Sequence, residues 1–214
     1  MNCPLCHTNK VVDYYQDKRR PYLNCTICEL VFVPPQFHLS AQLEKAEYDK
    51  HENHLDDQGY IHFLSRMITP MSERIKKNSS GIDIGSGEAP ALAKQMEKLG
   101  HTMAVYDLYY HPERQVLNDR YDFVTCTEVI EHIAQPVPFL KQLLSLLKPK
   151  AYLGFMTKLV IDKERFANWH YKNDPTHICF YSQATFEYIA KQYQMNLEII
   201  GSDVIILQPK DAIS

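Results

Sequence analysis

No stretch of about eighteen consecutive apolar residues occurs in this 214-residue chain, so no segment reads as a membrane-spanning helix. Excess charge of one sign is also missing. The formal net charge is −3 with histidines neutral, which excludes a global basic field that would recruit nucleic acid or anionic lipid. No internal repeat or low-complexity tract appears, and the polar, cysteine-bearing start MNCPLCHTNK does not read as a signal peptide. A cytoplasmic location is therefore expected. What the chain does have is 45% apolar residues, enough to bury the core of one sizeable α/β domain with a small appendage.

Six cysteines are present, and their spacing argues against disulfides. Cys3 and Cys6 form one C-x2-C pair, and after eighteen intervening residues Cys25 and Cys28 form a second. This is zinc-ribbon spacing, in which each pair places two thiolates on one metal. Zn²⁺ on Cys3, Cys6, Cys25 and Cys28 would supply folding energy that so short a segment cannot gain from burial. Cys126 and Cys179 lie in apolar sequence and read as core residues. Residues 1–38 carry four Lys/Arg against three acids, and a tetrathiolate zinc centre brings the segment to −1. A phosphate-binding role for the ribbon is weakly supported, and a structural or substrate-lid role is preferred.

The chain divides into a ribbon at residues 1–38, a helical cap or linker at 39–78 and a strand–helix alternation at 79–209. Pro34-Pro35 is the natural hinge after the ribbon. Residues 40–76 read as helix, broken by ENHLDDQGY and by Pro70, with Ile61, Leu64, Ile68, Met71 and Ile75 on one face. GIDIG, HTMAVYD, YDFVTCTE and AYLGFMT read as strands, and APALAKQMEKLG and PVPFLKQLLSLLKP as helices, the second stopped by Pro149. Ser182 can cap a helix to about Tyr193, and LEIIGSDVIIL reads as an antiparallel hairpin. The expected fold is α/β: a doubly wound, Rossmann-like sheet ending in an antiparallel hairpin.

In such sheets the ligand sits at the carboxyl ends of the strands, and DIGSGEAP occupies the first strand–helix turn. Gly85 and Gly87 begin a G-x-G-x-x-G fingerprint, but Pro90 stands where its third glycine would be. Asp107 ends the second strand, placed to accept from ribose hydroxyls. Asp83 would repel a pyrophosphate but suits an amino group, and a proline opening the helix removes an N–H that could bind phosphate. S-adenosylmethionine fits this pattern, with an adenosine, an α-amino group and a sulfonium.

DIGSGEA, VYD and YDFVTCTEVIEHI together resemble successive motifs of class I S-adenosylmethionine-dependent methyltransferases, and WHYKNDPTHICFYS resembles a loop after their fifth strand in several small-molecule enzymes. The resemblance covers about residues 79–209, and an amino-terminal zinc module is similar to the arrangement in some sugar methyltransferases. It implies cofactor contacts at Asp83, Gly85, Ser86, Gly87, Asp107, Leu108, Thr127 and Glu128. Two departures stand out. Ala89 replaces a frequent third glycine, and only thirteen residues separate Asp107 from Tyr121, so the third strand is shortened or missing.

Methyl transfer to an O- or C-nucleophile requires removal of the acceptor's proton, by a group that titrates near neutrality. Candidates are His132 in EVIEHI, His170 and His177 in WHYKNDPTHICFYS, and Tyr48 and His51 in EYDKHENH. For each of them a structural role is the competing reading. The expected activity is methylation of a small metabolite such as a sugar nucleotide, with no nucleic-acid or membrane partner. RNA or protein methylation through the ribbon, and a non-catalytic cofactor-binding scaffold, are the alternatives. Oligomeric state is not legible.

Overall fold

The computed structural model describes residues 1–50 and 54–210. The amino-terminal segment forms three short strands, β1 (Val11–Gln16), β2 (Pro21–Cys25) and β3 (Val31–Phe32). The helices α1 (Ala41–Tyr48) and α2 (Gln58–Arg74) follow. Next come β4 (Ser80–Ile84), α3 (Ala91–Lys98), β5 (Thr102–Tyr106), β6 (Tyr121–Thr127), α4 (Pro136–Ser145) and β7 (Leu147–Met156). The chain ends with α5 (Lys163–Ala167), β8 (Cys179–Phe180), α6 (Gln183–Gln192), β9 (Met195–Ile200) and β10 (Val204–Pro209).

The main sheet has the order β5-β4-β6-β7-β10-β9. Its first four strands are parallel, and β10 runs antiparallel to both β7 and β9. The expected doubly wound sheet and terminal hairpin are both present. Between β5 and β6 the described chain makes only an Asp107–His111 bridge and a 3₁₀ turn at Arg114–Asn118. Among the described residues no strand flanks β5 on its outer side, in keeping with the short passage after Asp107.

Both sheet faces are buried by alternation along the strands. In β10, Val204 and Ile206 face α2 and α3 through Leu64, Met67, Met71, Leu92 and Met96. Ile205 and Leu207 face the other way, toward Leu140, Leu143, Phe186 and Ile189. Each fully buried Leu or Met contributes about 2 kcal/mol. α2 is thus a principal wall of the core. Pro70 does not break it: the helix runs on to Arg74, because Pro70 lies one turn from the end and is itself buried in the packed face. Pro149 likewise fails to delimit an element, since β7 begins at Leu147. The pairing with β6 jumps from Tyr121–Leu147 to Phe123–Tyr152, which leaves Lys148, Pro149 and Lys150 in a bulge where no ladder N–H is needed from proline.

A second sheet has the order β1-β2-β3-β8, so the amino-terminal hairpin takes its fourth strand from residues just after His177. Among the described residues no helix is long and apolar enough to cross a membrane.

Candidate active site and metal centre

The glycine turn leaves the end of β4 with Gly85 at φ +75° and Gly87 at φ +67°. Gly85 N–H donates to the Tyr106 carbonyl at 2.7 Å, and a Cβ there would strike Val129. A Cβ at Gly87 would meet nothing within 4 Å, so the open side of the turn lies at the second glycine. Pro90 is the residue preceding helix α3, one position earlier than its sequence suggests, and Ala91 is the first helical residue. Ser86 is buried in the turn.

Asp83 and Asp107 stand on the two strands beside this turn. Asp83 is 4% exposed, and its carboxylate accepts from the Thr125 hydroxyl at 2.6 Å. Burial pushes the Asp83 carboxyl up to about 7; the Thr125 hydrogen bond opposes this and the charge of Asp107 adds to it. Asp107 accepts from Gly87 N–H at 3.0 Å and from Tyr109 and Tyr110 N–H at 2.9 and 3.1 Å, tying the glycine turn to the turn after β5. Leu108 beside it is 64% exposed, an apolar side chain left facing outward at this rim.

Helix α1 closes the opposite side. The Tyr48 ring lies 5.8 Å from Tyr109 and 5.3 Å from His132. The Tyr48 hydroxyl donates to Glu44 at 2.8 Å, and Glu44 also accepts from Tyr109. Burial and the Glu44 carboxylate drive the Tyr48 hydroxyl far above its ordinary range, which suits a wall rather than a proton acceptor. His51 lies outside the described residues.

At the end of β6 the chain turns sharply, with Glu128 in the left-handed region at φ +53°. Its N–H donates to Met156 O at 2.7 Å. The Tyr171 hydroxyl contacts a carboxylate oxygen of Glu128 at 3.1 Å, one of Glu131, and the Thr157 hydroxyl at 3.2 Å. Glu131 is fully buried, and burial with the neighbouring Glu128 charge pushes its carboxyl up to about 8. Burial raises Glu128 as well. Thr127 Oγ1, Glu128 Oε1 and Glu131 Oε2 are buried without a hydrogen-bond partner among the described residues. His132 and His177 stack edge to face at 4.7 Å, while His170 lies apart, exposed, with Nε2 2.9 Å from Lys158 Nζ. The structure therefore gathers Tyr48, His132 and His177 and leaves His170 on an outer rim.

That outer rim borders a cavity of about 570 Å³ lined by Arg66, Lys158, Trp169 and Asp203 among others. Lys158 also lies over the Tyr171 ring, at 5.3 Å from its centroid, which joins the cavity to the Glu128–Glu131 cluster. Arg66 pairs with Asp203. Sequence reasoning missed this wall, because α2, β7 and the β9–β10 turn meet only in the fold.

The four ribbon cysteines converge. Cys3 and Cys28 sulfurs are 3.5 Å apart, Cys6 and Cys25 3.4 Å, and all four lie within 4.8 Å of one another. A tetrahedron with metal–sulfur bonds of about 2.3 Å has edges of roughly 3.8 Å, so the set fits Zn²⁺. Each pair has the same knuckle: His7 N–H returns to Cys3 O and Glu29 N–H to Cys25 O, with both residues in the left-handed region.

The hairpin tip grips the histidine loop. Arg20, 6% exposed, donates to the carbonyls of Lys172, Asp174 and Pro175 and to the Tyr22 hydroxyl. Arg19 reaches Asn173, and Tyr22 donates to Asp17. A buried arginine spread over three carbonyls some 150 residues away has no local sequence signal.

The strand order, with a glycine turn at the end of the first parallel strand and an acid at the end of the next, defines the fold as Rossmann-like. The chain belongs to the methyltransferase-domain family, whose pattern matches residues 53–199. No curated protein matches it in sequence. Among solved structures, the Burkholderia thailandensis 1,6-didemethyltoxoflavin-N1-methyltransferase, with bound 1,6-didemethyltoxoflavin and S-adenosylhomocysteine, is 14% identical with a TM-score of 0.54. That match covers 93% of this chain and 99% of the other. A SAM-dependent methyltransferase from Archaeoglobus fulgidus, also 14% identical, has a TM-score of 0.53 over 69% of this chain and 94% of its own. At such identity the likeness is one of fold.

Proposed function

We propose that the chain transfers a methyl group from S-adenosylmethionine to a small anionic metabolite, a nucleotide-linked sugar or a comparable biosynthetic intermediate. The observation that carries this reading is the glycine turn at the end of β4, tied to Asp107 through Gly87 N–H and bordered by the buried Asp83. The cavity bordered by Lys158 and Trp169 adjoins Tyr171, which contacts Glu128 and Glu131.

The residues present fit the cofactor. Asp83 suits an ammonium, Asp107 offers a carboxylate to ribose hydroxyls, Leu108 and Tyr48 offer apolar cover, and the buried Thr127 Oγ1 and Glu128 Oε1 each lack a hydrogen-bond partner among the described residues. The bound cofactor supplies a methyl already made electrophilic by the sulfonium. The protein's task is then to align an acceptor and lighten its proton. Lys158 and Trp169 would hold the acceptor's charged and ring portions. His177 donates from Nδ1 to Tyr171 O at 2.7 Å, which puts its lone pair on Nε2, and burial lowers its proton affinity, so it is neutral at pH 7. His132 is anchored in the same way, Nδ1 to Thr176 O at 3.2 Å. Acceptor activation is assigned to these two histidines.

The division into ribbon (1–38), cap (39–78) and catalytic domain (79–209) belongs to the same reading, with the Cys3, Cys6, Cys25 and Cys28 zinc centre acting through the loop it holds rather than on substrate. The ribbon charge of −1 argues against RNA as acceptor.

The test is transfer of labelled methyl from S-adenosylmethionine to a panel of nucleotide sugars and their uncharged glycosides. Transfer confined to the phosphorylated members supports the reading. Equal transfer to uncharged glycosides removes the role given to Lys158, and transfer only to RNA or protein replaces the acceptor class.

A further inference from the structure

We propose that Tyr109 and Tyr110 are positioning residues that latch helix α1 across the cofactor cleft, and that cofactor held by Asp107 and α1 held by the two hydroxyls stabilise one another. For the ligand's identity this rests on the methyltransferase reading; the latch itself is carried by contacts within the chain.

In the main sheet β4 lies between β5 and β6. Tyr48, the last residue of α1, has its ring 5.8 Å from Tyr109, just after β5, and 5.3 Å from His132, just after β6. The end of α1 therefore spans the carboxyl end of β4, where the Gly85–Gly87 turn opens. The core does not hold it there: none of its eight residues is buried, and Leu43 is 56% exposed. An isolated helix of two turns is unstable in water, so its outside contacts decide whether it stays.

Those contacts are tyrosine hydroxyls on carboxylates. The Tyr109 hydroxyl donates to Glu44 Oε2 at 3.2 Å, and the Tyr110 hydroxyl donates to Asp49 Oδ1 at 2.7 Å, just past the helix end. Lys45 pairs with Asp49 and lies 5.1 Å from the Tyr110 ring centroid, so a cation backs the second contact. Hydrogen bonds to charged acceptors are stronger than neutral ones, and each such contact shifts an equilibrium by roughly fivefold. At its other end the latch is anchored on Asp107. Its Oδ1 accepts both the Tyr109 and the Tyr110 N–H, at 2.9 and 3.1 Å, and its Oδ2 accepts Gly87 N–H at 3.0 Å. Oδ1 is thereby filled, whereas Oδ2 keeps acceptor capacity for a ligand hydroxyl. A hydroxyl bound there adds a bond to the carboxylate that shapes the tyrosine turn and displaces none. It stiffens the turn that presents both hydroxyls, and by reciprocity a closed α1 favours the ligand.

Phenylalanine variants remove the hydroxyls and keep the rings. Hydrogen exchange at residues 41–49 and calorimetric titration with S-adenosylmethionine are read on the full zinc-loaded chain. The cofactor is expected to slow exchange at residues 41–49 about tenfold or more in the unaltered chain. In Y109F/Y110F that protection falls to about threefold or less, and affinity drops roughly tenfold. D49A should cost little further affinity when added to Y110F, because both remove the same bond, and D49N, which keeps an acceptor oxygen, should retain more affinity than D49A. The single variants decide if the double one fails to fold. Equal affinity or equal protection in Y109F/Y110F overturns the proposal and leaves the cofactor reading standing. If the unaltered chain binds no S-adenosylmethionine, the cofactor reading falls and the latch is judged on the unliganded chain. Faster exchange at residues 41–49 in Y109F/Y110F then supports it, and equal exchange overturns it.

Discussion

Asp83 shows how far single residues could be read. Its sequence position two residues before Gly85 suggested an ammonium partner, and the structure adds a fully buried carboxyl raised to about 7. Because that value lies above the unfolded one, Asp83 contributes stability below about pH 4 that is lost as pH rises through about 7. An ammonium would pull the carboxyl back down, so binding expels a proton. S-adenosylmethionine affinity should therefore rise between about pH 5 and 7 and then level off, and D83N should flatten the profile; calorimetry across that range reads it. The four cysteines were equally legible, because metal spacing is a local property. Lys158 and Arg66 were not, and Tyr171 was legible only as a member of the histidine-rich loop, since its partners Glu128 and Glu131 are far away in sequence. H177A should lower kcat by about 100-fold or more while S-adenosylmethionine binding persists; an unchanged kcat with the true acceptor would take His177 out of the site.

At the scale of elements, helix–strand alternation was readable from apolar periodicity and the α6 start from the Ser182 cap, to which the structure adds the Thr185 half of a capping box. Pro70 and Pro149 misled because local propensity was overruled by burial and by a bulge. The pairing of β3 with β8 had no sequence signal at all, and it has a mechanical consequence. Removing the zinc should loosen β1–β3 and, through β8 and Arg20, the loop bearing His177. C25S or chelation should thus depress methyl transfer far more than cofactor binding, with lost amide protection at residues 170–180 in hydrogen exchange. R20A, leaving three carbonyls without their donor, should cost about 3 kcal/mol in denaturant unfolding, and R20K should restore part of kcat with little change in KM.

For the whole molecule, no strand flanks β5 on its outer side among the described residues, and the Asp107–Tyr110 turn packs there against helix α1. Tyr109 and Tyr110 hold α1 through Glu44 and Asp49, beside the open edge of β5. The most direct test of the account is calorimetric titration of the zinc-loaded chain with S-adenosylmethionine. One cofactor per chain is predicted, lost or strongly weakened in D107A. No binding heat, or NAD bound in its place, would contradict it.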